Sequence, residues 1–162
     1  MAEKDIAAEV VSLMKGRSVT LATCESLTGG LLGGRITDVP GASEVYRGGF
    51  ITYARDLKAS LVGVDLELIR TKGVVNDLTA LQMALGAQSR TDSEWAVATT
   101  GVAGPTPTDG ADVGTVWFAV VGPSVGMSSA PRYTERKDFE GDRSAIRAAA
   151  VEHALEMLLR VM

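Results

Sequence analysis

The sequence predicts an α/β protein: a three-layer α/β/α sandwich in which helices cover both faces of a mixed, mostly parallel sheet. Three observations carry that expectation. Short apolar runs of strand type alternate with helical patterns up to Thr100, as in chained β-α-β units. Two strand-type runs then follow one another across a Gly122-Pro123 turn, as in an antiparallel hairpin. No linker, repeat or low-complexity tract divides the 162 residues, so 1–162 reads as a single domain, long enough to bury roughly 70% of its unfolded surface.

Taken in order, Ile6, Val10, Leu13 and Met14 recur at helical spacing between about Glu3 and Lys15, with Lys15-Gly16 closing the pattern. Ser18 to Thr23 reads as the first strand. Cys24-Glu25-Ser26-Leu27-Thr28-Gly29-Gly30 follows as a sharp turn into a helix over Leu31–Ile36 that ends near Asp38-Val39-Pro40-Gly41. Tyr46 to Tyr53 is aromatic and β-branched with internal glycine, the mark of a strand. Short helical patterns cover Asp56–Gly63 and Asp65–Lys72. Asn76 is placed to cap a longer helix, Asp77 to Ser89. Trp95 to Thr100 reads as a buried strand and Gly101-Val102-Ala103-Gly104-Pro105 as its tight exit; the polar Thr106–Val113 segment reads as a mobile surface loop. Gly114–Gly122 is the clearest strand, Met127–Phe139 a more polar edge strand, and Gly141-Asp142-Arg143 opens a final helix rich in Ala and Leu.

Composition narrows the function. A net charge of -4 without a block of like charges argues against nucleic acid as a partner. With 46% hydrophobic and 22% charged residues the chain is globular, and no apolar run approaches the roughly 20 residues of a membrane span. The acidic start, Met1-Ala2-Glu3-Lys4-Asp5, lacks the basic opening of a signal peptide, so a cytoplasmic protein is expected. One cysteine, Cys24, makes an intrachain disulfide and a thiolate metal cage unavailable, and it reads as a small buried residue at a strand end. One histidine, His153, reads as a solvated or hydrogen-bonded structural imidazole, which disfavours a Ser-His-Asp triad and rules out a His/Cys zinc site. Neither metal nor cofactor is expected.

In sheets of this kind ligands bind outside the carboxyl ends of strands, which selects Glu25–Gly30, Thr100–Pro105 and the end of the Tyr53 strand. At the head of a helix, the Ser26 hydroxyl is placed to attack a carbonyl while free N–H groups receive the oxyanion. The bland alternative makes Ser26 or Thr28 an N-cap and leaves Gly29 and Gly30 to make packing room. If Ser26 is a nucleophile, its base is Lys, Asp or Glu. Lys58 serves only if burial lowers its usual pKa of about 10.4; otherwise it is a solvated helix residue. Arg143 and Arg147, one helical turn apart, form either a phosphate or carboxylate clamp or a pair neutralised by Glu140 and Asp142.

Glu25-Ser26-Leu27-Thr28-Gly29-Gly30, Gly49-Phe50-Ile51-Thr52-Tyr53 with Lys58, Thr100-Gly101-Val102-Ala103-Gly104-Pro105, Val113-Gly114-Thr115-Val116 and Gly141-Asp142-Arg143 with Arg147 occur in this order. Over nearly its whole length the chain thereby resembles the CinA C-terminal domain family, the PncC-type nicotinamide-nucleotide amidases, in stand-alone form. The resemblance implies metal-free Ser–Lys hydrolysis of nicotinamide mononucleotide (NMN) to nicotinic acid mononucleotide and ammonia, in pyridine-nucleotide recycling. It implies Ser26 as nucleophile, Lys58 as base and Tyr53 as an orienting or proton-relaying hydroxyl. Thr28, Gly29, Gly30, Thr100, Gly101, Arg143 and Arg147 are then the substrate-binding candidates. Departures from the family pattern are Leu27 for Cys, Cys24 for Ala, and a 106–112 loop without Lys-Pro before Val113, which leaves closure over the substrate open. A non-catalytic pyridine-nucleotide-binding or interaction module is the second reading, and a homo-oligomer, with a dimer favoured, is expected.

Overall fold

The computed structural model describes residues 3–162; Met1 and Ala2, the first two residues of the acidic start and of the expected 1–162 domain, lie outside the described residues. Five strands, β1 (Leu21–Glu25), β2 (Tyr46–Ile51), β3 (Trp95–Gly101), β4 (Thr115–Val121) and β5 (Arg132–Asp138), form one sheet in the order β2-β1-β3-β4-β5. β1 pairs in parallel with both β2 and β3, whereas β4 is antiparallel to β3 and to β5. Four strands therefore run one way and β4 alone runs against them, the mixed and mostly parallel sheet the sequence predicts.

Helices α1 (Ile6–Arg17), α2 (Leu31–Thr37) and α6 (Arg143–Val161) cover one face, while α3 (Arg55–Val62), α4 (Leu66–Lys72) and α5 (Asp77–Thr91) cover the other. Strand alternation decides which residue meets which layer. Val97, Val116, Phe118 and Val120 point toward α1 and α6, where Val10, Met14 and Leu155 complete the core. Ala22, Ala96, Ala98 and Ala119 point the other way, and their small size lets α5 seat Ala80, Met83, Ala84 and Ala87 close against the sheet. Gly86 extends that closeness to α3: a Cβ there would fall 1.9 Å from the Val62 carbonyl oxygen.

Caps fix several boundaries. Asn76 accepts from the Thr79 N–H (2.8 Å) and starts α5 where expected, and Asp142 does the same for α6 through Ala145 N–H (2.8 Å). The first strand begins three residues later than expected because α1 runs on to Arg17 and ends on Ser18 in the left-handed conformation (φ 54°). β2 stops at Ile51, two residues short of Tyr53, and β5 begins only at Arg132. The exposed, charged β5 is the edge strand that its composition predicts.

Candidate active site

The turn after β1 departs from the expected strand-to-helix junction. Gly29 and Gly30 both take left-handed φ (58° and 104°), and with the Gly29 N–H to Ser26 C=O bond (3.0 Å) they insert a full turn before α2 starts at Leu31. Ser26 is thus not at the helix head, and neither it nor Thr28 caps α2. The cap is Glu25, whose buried carboxylate reaches forward over the turn. Its Oε1 accepts from Gly30 N–H (3.2 Å) and Leu32 N–H (2.8 Å), and its Oε2 from Gly33 N–H (3.0 Å). Glu25→Gln puts an amide group where one of those N–H groups must be accepted. It is expected to lower stability by about 1.5–3 kcal/mol; urea denaturation checks this, and a loss below about 0.5 kcal/mol would show the cap to be dispensable.

With the helix N–H groups taken, Ser26 is left to face elsewhere. Its own N–H bonds to Thr99 C=O (3.0 Å), holding the residue against the end of β3, and its hydroxyl meets the Lys58 amine, with Nζ 3.0 Å from Oγ. Lys58 comes from the first turn of α3, which the chain enters from β2 through the buried Thr52. The side chain is 0% exposed, so it is not a solvated helix lysine. Its Nζ also donates to the carbonyls of Thr52 (2.6 Å) and Tyr53 (3.5 Å), and no carboxylate pairs with it among the described residues. Burial without a counter-ion penalises the ammonium and lowers its pKa to about 8; nearby Cys24 opposes the shift, Arg55 adds to it and Asp109 opposes it. Beneath the pair lies Cys24, whose Sγ is 3.6 Å from Thr52 Oγ1 and whose thiol is pushed up to about 11 by burial. It is a protonated packing residue, as its strand-end position predicts.

Ser26 and Lys58 open onto a cavity of ≈ 300 Å³. Thr100, Gly101, Val102, Ala103 and Gly104 form one wall. The Thr100 hydroxyl is engaged in that wall, donating to Val74 C=O (2.8 Å), and Gly101 lies so close to β4 that a Cβ would sit 2.5 Å from Thr115 C=O. Leu27, Ala103 and Gly104 border the same space, and among the described residues their N–H groups make no intrachain hydrogen bond. Tyr53 and Arg143 stand at the exposed rim. The Arg143 guanidinium donates to the Tyr53 hydroxyl (2.9 Å) and to Gly104 C=O (2.5 Å), and it has no carboxylate partner among the described residues. Asp142 is occupied in capping α6, so it does not neutralise Arg143 as the bland reading requires.

The remaining four sequence candidates sit behind this cavity rather than in its lining. Arg147 donates to Leu27 C=O (2.8 Å) and Thr28 C=O (3.3 Å), tying the Ser26 turn to α6. The buried Thr28 hydroxyl bonds to Thr99 Oγ1 (2.9 Å), while Gly29 and Gly30 provide the turn geometry. These residues shape the Ser26 support and do not reach the cavity.

Two charged cavity residues escaped the sequence reading, Arg55 and Asp109. Residues 106–110 are exposed, as expected of a surface loop, but the segment is folded on itself and tied to its neighbours. Thr108 and Ala111 exchange backbone hydrogen bonds (3.2 and 2.9 Å) around Asp109 and Gly110, both at positive φ (52° and 73°), which makes a two-residue hairpin turn. Asp109 pairs with Arg55 (2.6 Å) and accepts from Val74 N–H (3.0 Å). The Asp-Gly dipeptide was the available signal. His153 also differs from expectation: it is buried against Phe118 (ring centroids 4.7 Å apart), and its Nε2 has no hydrogen-bond partner among the described residues. Burial lowers its pKa, against the raising influence of the Glu135 and Glu156 carboxylates, which lie 3.6 Å from Nε2 and Nδ1. Among the described residues no group of three His, Cys, Asp or Glu is placed to hold a metal ion, and no helix is long and apolar enough to cross a membrane.

Fold and site together define a class: three-layer α/β/α proteins that set a serine hydroxyl against a buried, unpaired amine at the carboxyl ends of parallel strands. Residues 3–162 match the CinA C-terminal domain model, and the chain belongs to that family. It is 44% identical over 161 residues to a CinA-like protein of Frankia casuarinae, covering 99% of this chain but only 36% of that longer protein. It is 37% identical over 154 residues to the nicotinamide-nucleotide amidohydrolase PncC of Escherichia coli, covering 93% of this chain and 88% of that enzyme. A crystal structure of a CinA superfamily protein from Escherichia coli superposes with a TM-score of 0.91 at 29% identity, covering 100% of this chain and 94% of that one. A competence/damage inducible protein from Agrobacterium tumefaciens gives 0.87 at 35% identity, covering 99% and 98%.

Proposed function

We propose that this chain hydrolyses the carboxamide of NMN to nicotinic acid mononucleotide and ammonia by a Ser–Lys mechanism, in pyridine-nucleotide recycling. The observation that carries the proposal is the 3.0 Å contact between Ser26 Oγ and a Lys58 amine that is fully buried and has no counter-ion among the described residues. A neutral amine has two N–H donors and one lone pair. The Thr52 and Tyr53 carbonyls can only accept; as an ammonium Nζ donates to Ser26 Oγ as well, and once it has lost its proton its lone pair is free to take the proton of the Ser26 O–H.

Ser26 Oγ attacks the carboxamide carbon as Lys58 takes its proton, and the resulting oxyanion is received by the unengaged N–H groups of Leu27 and the Ala103-Gly104 turn. Lys58 then protonates the departing nitrogen, ammonia leaves, and a nicotinoyl ester remains on Ser26. Water attacks that ester with Lys58 again as base, releasing the acid. At the rim, the Arg143 guanidinium lacks a carboxylate partner among the described residues and suits the phosphate of the nucleotide, while the Tyr53 hydroxyl orients it. The relation to the Escherichia coli amidohydrolase supports the choice of substrate.

Purified protein incubated with NMN is expected to release ammonia and nicotinic acid mononucleotide in equal amounts; no release removes the proposal. The second reading, a non-catalytic pyridine-nucleotide-binding module, draws on Arg143 without requiring Ser26 to react. Calorimetry showing tight NMN binding by a protein that releases no ammonia would favour it.

A further inference from the structure

We propose that Asp109 is a positioning residue: with Arg55 it forms a latch that holds residues 106–112 as a fixed wall of the Ser26–Lys58 cavity, against which substrate is seated. The proposal rests on the amidohydrolase reading for its substrate but on separate residues for its geometry. Arg55 Nη1 spans both Asp109 carboxylate oxygens (2.7 and 2.6 Å), and Arg55 Nη2 donates to Ile69 C=O (3.0 Å). Asp109 Oδ2 also accepts from Val74 N–H (3.0 Å). One carboxylate thus ties the 108–111 turn to the start of α3 and to the stretch after α4. The turn requires Asp109 in the left-handed region (φ 52°), an unfavourable conformation for most residues that Asp tolerates, and these bonds compensate it.

Charge placement makes the latch more than a tether. Among the described residues Asp109 is the one carboxylate lining the cavity, against three cations, Arg55, Lys58 and Arg143. Pairing with Asp109 keeps Arg55 from competing with Arg143 for an anionic substrate. The two latch charges also act on Lys58 with opposite sign, Arg55 disfavouring its proton and Asp109 favouring it. The other titratable groups around the amine are Cys24 from β1, with Tyr53 and Arg143 at the rim.

The test compares wild type with Asp109→Ala, Asp109→Asn and Arg55→Gln, using NMN hydrolysis together with amide hydrogen exchange. Asp109→Ala is expected to raise KM about 10- to 100-fold with kcat nearly unchanged, and to speed exchange at Val74, Thr108 and Ala111 by a similar factor. Asp109→Asn keeps an acceptor for Val74 N–H, so Val74 exchange stays slow, while the acid limb of the pH–rate profile moves down; Arg55→Gln moves it up. Unchanged KM and exchange in Asp109→Ala, or a fall in kcat with KM unchanged, overturns the latch. If wild type itself releases no ammonia, the amidase reading fails alone: the exchange rates then decide the latch, faster exchange in Asp109→Ala supporting it and unchanged exchange refuting it.

Discussion

Ser26→Ala is expected to cut ammonia release from NMN by about 10⁴-fold or more while leaving nucleotide binding and folding nearly intact. The size follows from what the substitution removes. An amide is a poor electrophile, and the covalent route exists only because Ser26 Oγ supplies a nucleophile already in contact with its base at 3.0 Å. Binding should survive because Arg143, Tyr53 and the Thr100–Gly104 wall do not depend on the hydroxyl. Folding should survive because the hydroxyl forms one side-chain bond, to Lys58, and the Ser26 N–H bond to Thr99 C=O belongs to the backbone. The loss of one such bond costs about 1 kcal/mol. Steady-state ammonia assays, calorimetric titration with NMN and a denaturation curve separate the three effects. Hydrolysis that persists in Ser26→Ala at more than a tenth of the wild-type rate would mean that water attacks directly and that no acyl-enzyme forms.

Much of the fold was legible because strand runs and helix caps are local signals. Asn76 and Asp142 cap the helices that immediately follow them, and the sheet alternation of β3 and β4 is written residue by residue. The site was less legible, and the reasons are particular. Ser26 and Thr28 are cap-type residues ahead of a helical run, so local pattern puts a cap on them; the real cap, Glu25, reaches across a glycine turn to N–H groups five to eight residues on. Arg143 and Arg147 share a helical face, yet one reaches the cavity rim and the other the back of the Ser26 turn, a difference set by where that turn packs.

Lys58 is the sharpest case, because α3 inverts the ordinary rule of amphipathic helices. Leu57 and Leu61 are 36% and 37% exposed, whereas Lys58 and Val62, on the adjoining stripe, are buried. No periodicity argument buries that lysine; the chemistry a Ser26 nucleophile needs made it a candidate base, and family resemblance gave it the role. A helix that turns a lysine inward and leucines outward gives up stability at this position, and the natural explanation is that the site needs an amine that has lost its proton.

Lys58→Met tests that explanation in two measurements. Activity is expected to fall by about 10²–10⁴-fold, the usual worth of a positioned acid–base group, and the wild-type kcat/KM is expected to rise with pH and level off above about 8 as the amine becomes neutral. Stability provides the second readout. The unfolded chain holds the Lys58 proton up to about pH 10.4, the folded protein only up to about 8, so between these values the unfolded state binds more protons. The penalty for a buried ammonium is therefore fully present below about pH 8 and is relieved as pH rises toward 10.4, a gain of about 3 kcal/mol from this group. Cys24 and Tyr46, both raised by burial, work in the opposite direction at alkaline pH, which is why the difference between wild type and Lys58→Met is the quantity to follow. That difference should shift in favour of wild type across the interval. A flat difference from about pH 7 to about pH 10.5 would show that Lys58 binds its proton as tightly in the fold as outside it, and the mechanism would then lack a base.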